Sequence, residues 1–284
     1  MMRARPVRRS LPALALIAVM VFAIPAAGAA ATVAQRIVTI HLCADQLALL
    51  LAERQHVVSV SYLAADPEFS PVADLARGIP INHGDAEEVI AFAPDLVIAG
   101  RHYAGLTIRL LRRLGYRVLV LDTVNSLSEV RAQIETVGAA IGRPERARTL
   151  LDDLDRQLAA VARTADGPRP RAAIYHFAGN TIGADTLADD LIRLVGFDNY
   201  AAGLGISGYG YLSLERLIAG HPDVLIFDAV AIDAPAVGRD VLRHPALRAL
   251  RSRVRTVTIP SRLWACAGTA IAEAARRLAE AYPR

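Results

Sequence analysis

The sequence predicts an α/β chain of two lobes, each a mostly parallel sheet covered by helices, joined by a single long backbone helix. Three observations carry this. Short β-branched apolar runs alternate with helix-period segments along the chain, the rhythm of parallel strands buried on both faces. One long amphipathic pattern stands between two such series. A twelve-residue stretch of the first series is echoed in the second. Composition agrees, since 54% hydrophobic and 21% charged residues in 284 supply an ample core and exclude a disordered chain.

Residues 1–31 read as a cleaved secretory signal peptide. Arg3, Arg5, Arg8 and Arg9 precede an apolar run, 11–24, followed by Pro25 and a string of small residues offering an A-x-A exit such as Ala27 and Ala29. The run is shorter than the ~20 residues of a membrane span. The pair Arg8-Arg9 leaves a general or a twin-arginine route open. Cleavage removes four Arg and no acid, leaving 28 basic against 28 acidic side chains. A near-neutral chain has no cation surplus with which to bind nucleic acid, and the expectation is a periplasmic, monomeric protein without a nucleic-acid partner.

The first lobe is expected at 32–143. Strands fall at 37–40, 57–60, 79–81, 96–99 and 118–121, each short and rich in Val, Ile or Leu, with helices at 45–52, 86–92, 106–114 and 127–141. The linking helix, 144–166, opens with Pro144 in its first turn and spaces Leu150, Leu151, Leu154, Leu158 and Val161 along one face. Its helical part, about 30 Å long, is enough to brace two lobes. The second lobe, 167–284, repeats the rhythm with strands at 172–175, 224–227 and 254–259 and helices at 187–195, 214–218, 241–250 and 270–281. Each lobe is therefore expected to be Rossmann-like.

The echo is specific. Glu87 opens a short helix that runs into Pro94-Asp95 and a buried strand, and Glu215 opens another that runs into Pro222-Asp223 and a buried strand. Together with Arg36-Ile37-Val38-Thr39-Ile40, the single linking helix, Gly183-x-Asp185-Thr186-Leu187 and Gly196-x2-Asn199, this order resembles the periplasmic substrate-binding proteins of ABC importers for cobalamin, ferric siderophores and haem. The resemblance covers residues 36–282. It implies two α/β lobes joined by a rigid helix, a metal-chelate ligand between them, and an importer permease and its ATPase as partners. It also implies that Glu87 and Glu215 dock onto arginines of the permease, where charge-assisted pairing would fix orientation. Read without the resemblance, each is an acid placed favourably at a helix start.

Ligands of open α/β sheets sit beyond the carboxyl ends of strands. That rule selects His41 and Cys43, Tyr62, His83, and Arg101, His102 and Tyr103 in the first lobe. In the second it selects His176 and Phe177, Tyr209 and Tyr211, and Arg262, Trp264 and Cys266. Aromatic and guanidinium planes suit a large flat ligand, a cobalamin-type corrinoid first and ferric siderophore or haem next. Direct metal-ion binding would require several of His41, His83, His102 and His176 to converge. Cys43 and Cys266 form a disulfide that clamps the lobes, remain as thiols facing a soft metal, or are simply small buried residues; all three readings stay open.

No resident cofactor, catalytic residue or protein-held metal is expected, and the chain is read as a binding protein rather than an enzyme. The stretch 203–208 spells G-x-G-x-x-G but follows no strand and opens no helix, so it reads as a flexible, tyrosine-bearing cleft loop. The acid pairs Asp152-Asp153 and Asp189-Asp190 read as solvated helix faces. The competing reading is an exported two-lobe enzyme of glycosyltransferase or chelatase type.

Overall fold

The computed structural model describes residues 33–163, 167–227, 240–266 and 268–281. The signal-peptide expectation for 1–31 lies outside these residues; residues 31–284 form one compact unit. Among the described residues no helix is long and apolar enough to cross a membrane.

The first sheet comprises β1 (Ile37–Thr39), β2 (Val57–Ser61), β3 (Ile81–Asn82), β4 (Leu96–Gly100) and β5 (Val118–Leu121). All pairs are parallel and the spatial order is β3-β2-β1-β4-β5. Its helices are α1 (Leu42–Leu51), α2 (Ala73–Ala76), α3 (Ala86–Ala91), α4 (Gly105–Arg113) and α5 (Leu127–Ile141). The order reverses between β1 and β4, the switch point at which crevices open in doubly wound sheets.

Helix α6 (Pro144–Val161) follows, with Pro144 in its first turn as the sequence predicts. It buries Ala147, Leu151, Leu154 and Leu158. The second sheet then forms from β6 (Arg171–Ile174), β8 (Asp198–Asn199), β10 (Val224–Phe227) and β11 (Arg255–Thr258), in the parallel order β11-β10-β6-β8. Beside it lies an antiparallel ribbon of β7 (Asn180–Ile182) and β9 (Tyr209–Tyr211). Its helices are α7 (Leu187–Leu194), α8 (Tyr200–Gly203), α9 (Leu214–Gly220), α10 (Asp240–Arg243), α11 (Pro245–Arg251) and α12 (Ala270–Glu280).

Three hydrophobic clusters hold the lobes. One covers the outer face of the first sheet, through Val38, Val97, Ile108 and Leu111. Another covers the corresponding face of the second, through Tyr175, Leu217, Leu225 and Phe227. The largest runs continuously from Leu47 and Ile98 through Ile134, Leu151, Leu154 and Leu158 to Leu191 and Ile271. Helix α6 is thus sewn between α5 and α12 by one core shared by both sheets. A polar tie reinforces it: the Leu127 amide at the start of α5 donates to the Asp190 carboxylate on α7 at 2.8 Å.

The internal echo is structural as well as sequential. Asp95 accepts from the Arg36 amide at 3.1 Å, and the Arg36 guanidinium donates back to the carbonyls of Phe92 and Ala93. Asp223 accepts from the Arg171 amide at 2.8 Å, and the Arg171 guanidinium donates to the carbonyl of His221. In both copies the residue ending the helix, Ala93 or His221, is left-handed. Each Pro-Asp turn therefore clamps the entry to the first strand of its own sheet.

Several expectations change in detail. The third strand is Ile81–Asn82 rather than 79–81, because Ile81 and Asn82 are the residues that pair with Val60 and Ser61. The expected helix 241–250 divides at His244, whose extended backbone precedes Pro245, as the ring of a following proline dictates. The 203–208 stretch is laddered to residues 183–184, with Gly183 donating to Gly208 and Ala184 to Ile206. Asp189 is buried and bonded to Arg193, so the 189–190 pair is not a solvated face.

Candidate functional site

A cavity of about 490 Å³ opens at the carboxyl ends of β1 and β4, the switch point of the first sheet. It gathers His41, Cys43, Tyr62, His83, Arg101, His102 and Tyr103 from the first lobe with Ala265 and Cys266 from the second. Eight sequence-selected residues thus line one wall-and-floor arrangement. Its rings come in two pairs: His41 lies 4.5 Å from Tyr103, tilted, and Tyr62 stacks on His83 at 5.6 Å. Tyr62 and Tyr103 are both more than half exposed.

The position of His41 follows from its neighbours. It caps α1 through its backbone, its carbonyl accepting from the Asp45 amide at 2.9 Å. Its ring packs so closely on Gly100 that a Cβ there would stand 2.8 Å from the ring Cγ and Nδ1, which is why the end of β4 carries glycine. Burial pushes the His41 imidazole below its ordinary pKa, favouring the neutral ring, and Nδ1 has no hydrogen-bond partner.

At the rim, Arg101 and Asp122 pair side by side, with one bond at 2.8 Å, and the guanidinium holds the carboxyl of Asp122 below the usual carboxylate range. His83 bonds Glu88 through both its amide, at 2.6 Å, and its ring, at 3.1 Å; these bonds hold Glu88 low.

Behind the wall sits a fully buried carboxylate, Asp45. It accepts from the Ser61 amide at 2.9 Å and from the hydroxyls of Ser61 and Thr39. Burial pushes its pKa up to about 6 in spite of those bonds. Ser61 lines the cavity and precedes Tyr62, so Asp45 fixes the strand end from which that tyrosine projects. The sequence reading missed Asp45 and Asp122. Asp45 stands in the mostly apolar run Leu42–Leu51, where an acid breaks the hydrophobic pattern, and Asp122 immediately follows β5, where the strand-end rule already pointed.

Cys43 and Cys266 are joined by a disulfide, Cα to Cα 5.1 Å, which settles the three readings in favour of a bond between the lobes. The remaining selected residues do not line this cavity. Trp264 is buried in the shared core, with 7% of it exposed. Arg262 is half-buried in the turn before it. His176 follows β6 and donates its amide to the Asn180 carbonyl at 2.8 Å. Phe177, Tyr209 and Tyr211 are exposed on the second lobe, the two tyrosines on one side of β9 by strand alternation. Residues 228–239, which follow β10, lie outside the described residues. Among the described residues, no group of three or more His, Cys, Asp or Glu is placed to hold a metal ion, so the histidines do not converge as direct ion capture would require.

Glu87 and Glu215 occupy equivalent places, each the second residue of its helix and each exposed. Hydrogen bonds from its own amide and from Ser213 hold Glu215 below the ordinary carboxyl range.

Residues 37–260 match the family described as periplasmic binding protein. A curated relative from Bacillus subtilis strain 168, an uncharacterized ABC transporter substrate-binding lipoprotein, is 25% identical over half of this chain, and the match spans about half, 48%, of that relative. The apo periplasmic heme-binding protein RhuT of Roseiflexus sp. RS-1 superposes with a TM-score of 0.70 at 25% identity, over 87% of this chain and 98% of that one. Two Vibrio cholerae structures share the fold: the heme-binding protein HutB, TM-score 0.72 at 21% identity over 87% and 98%, and the vitamin B12 binding protein BtuF, 0.61 at 20% over 87% and 96%. A match that runs from the first strand of one sheet past the last strand of the other leaves neither lobe unexplained, and the chain belongs to the periplasmic binding protein family.

Proposed function

We propose that this chain is the extracytoplasmic solute-binding component of an ABC importer, and that it captures a metal-bearing chelate and hands it over without altering it. The ligand class is a corrinoid first, with haem or a ferric siderophore next. The observation that carries this is the pairing of His41 with Tyr103 and of Tyr62 with His83 around one cavity at the sheet's switch point. Such rings grip a flat, partly apolar molecule, and imidazole and phenol are also groups that meet a metal centre held in a macrocycle. The likeness to heme- and B12-binding structures supports the same class.

In this reading the first lobe presents the cavity and the exposed Phe177, Tyr209 and Tyr211 of the second lobe close over the guest. Arg101 and His102 at the rim meet acidic groups on the ligand's periphery. Glu87 and Glu215 present the loaded protein to the permease, whose ATPase drives release. The signal peptide delivers the chain to the periplasm, where it works as a monomer. Titration of the protein with cyanocobalamin, haemin and a ferric trihydroxamate, followed by absorbance and by native mass spectrometry, tests the proposal. Saturable one-to-one binding of one of them, recovered chemically unchanged, is expected. Failure of all three to bind, or conversion of the bound molecule, overturns it.

A further inference from the structure

Helix α4 carries an apolar ladder on its outward face. Leu106, Leu110 and Leu114 are spaced four apart and are 76%, 41% and 55% exposed, whereas Ile108 and Leu111 on the opposite side are buried. Arg109 and Arg113 fall on the same outward face as the leucines, with Arg112 and Arg117 beside it. All four arginines are exposed, and among the described residues none is in an ion pair. From Leu96 to Leu121 the sequence contains no Asp or Glu, in a chain whose charges balance overall after residue 31. Of the acids on α3, which packs against α4, Glu88 is already bonded to His83.

We propose that this face of α4 is a binding surface for an anionic phospholipid bilayer. Exposed leucines flanked by unpaired arginines match the two layers of such a surface, acyl chains beneath and phosphates above. A protein partner of opposite charge would satisfy the arginines, but isolated leucines projecting between them suit a fluid apolar layer better than a fixed polar one. The ladder begins beside the cavity mouth, since Tyr103 and Ala104 line the cavity and Leu106 lies in the first turn that Ala104 caps. Adhesion through α4 would therefore hold the ligand-bearing end close to the membrane and confine the search for a permease to two dimensions.

The test is sedimentation of the protein lacking residues 1–30, the compact unit 31–284, with vesicles of phosphatidylcholine mixed with phosphatidylglycerol and with vesicles of phosphatidylcholine alone. No ligand or permease is present, so the result is independent of the importer reading. Binding to the mixed vesicles alone is expected, weakening as salt rises. L106S/L110S, with an unchanged circular dichroism spectrum and melting temperature, should partition at least about tenfold more weakly. R109E/R113E should lose the preference for anionic lipid. Protein that stays in solution with the mixed vesicles at low salt, or serine variants that sediment like the parent, overturns the proposal. A separate assay in reconstituted transporter tells the alternative apart: loss of permease-stimulated ATPase in the serine variant, with no vesicle binding by the parent, would make the face a protein contact and overturn the proposal.

Discussion

Cys43 at the amino end of α1 and Cys266 in the segment before α12, 223 residues apart in sequence, are bonded to each other at the floor of the cavity. The bond ties the first helix of one lobe to the segment that leads into the last helix of the other, alongside the core already shared through α6. Closing so long a loop restricts the unfolded chain strongly, by about 5 kcal/mol in the chain-entropy limit and about 2 to 4 in typical measurements. Reduction, or replacement by C43S/C266S, is expected to lower the free energy of unfolding by that smaller amount. Urea unfolding with and without reductant measures it, and intact mass under alkylation counts the thiols. Two alkylated cysteines without reduction would show that the bond is absent.

Much of this architecture was legible because buried parallel strands and amphipathic helices follow simple periods. The runs at 57–60, 96–99 and 118–121 could hardly pack otherwise, and Pro144 with its leucine stripe announced α6. The β7–β9 ribbon was not legible. Asn180–Ile182 is three residues long, and Tyr209–Tyr211 follows a glycine-rich turn, so neither offers a periodic signal; the pairing is set by tertiary backbone bonds. In the site, strand-end placement identified His41, Tyr62 and Tyr103 because it depends only on topology. It did not foresee that Trp264, which follows β11, turns inward, where burial of its large apolar ring in the shared core is favourable.

The contact between Gly100 and His41 gives a second prediction. Gly100→Ala would drive a methyl group into the imidazole, and overpacking of this kind costs about 1 to 3 kcal/mol. The displaced ring should also lower affinity for whichever chelate binds. His41→Ala removes the obstacle, so the double variant should recover most of the lost stability but not the affinity. A double-mutant cycle by urea unfolding and ligand titration separates the two effects; strictly additive stabilities would show that the two residues do not press on each other.

The buried carboxyl of Asp45 makes stability depend on pH. Its pKa rises from 3.8 to about 6 on folding, so the folded state holds the proton more tightly than the unfolded one. The resulting stabilisation is complete below about pH 4, declines as pH rises, and is gone above about 6, a change of about 3 kcal/mol. Glu273 acts oppositely and lower: bonds to Arg276 and Arg277 bring it to about 2, so its contribution is present above 4.5 and lost toward pH 2. Unfolding free energy should therefore fall between pH 4 and 6, and Asp45→Asn should flatten that decline. An unchanged slope in the variant would place the titration elsewhere.

Glu87 and Glu215 present the last prediction, and the reason to expect a joint effect lies in the duplicated clamp beneath them. Each glutamate begins a helix whose far end is locked, by Pro94-Asp95 or Pro222-Asp223, to the first strand of its own sheet, so each carboxylate is fixed to the body of its lobe. If they dock as proposed, two carboxylates placed this way would report the separation of the lobes to a permease that engages both. Neither lines the cavity. The double variant Glu87→Ala with Glu215→Ala is therefore expected to bind its chelate with nearly unchanged affinity and to lose stimulation of the ATPase in reconstituted transporter. Each single variant should retain part of it, because one charge-assisted contact still orients one lobe. Full stimulation by the double variant would remove both residues from the docking surface.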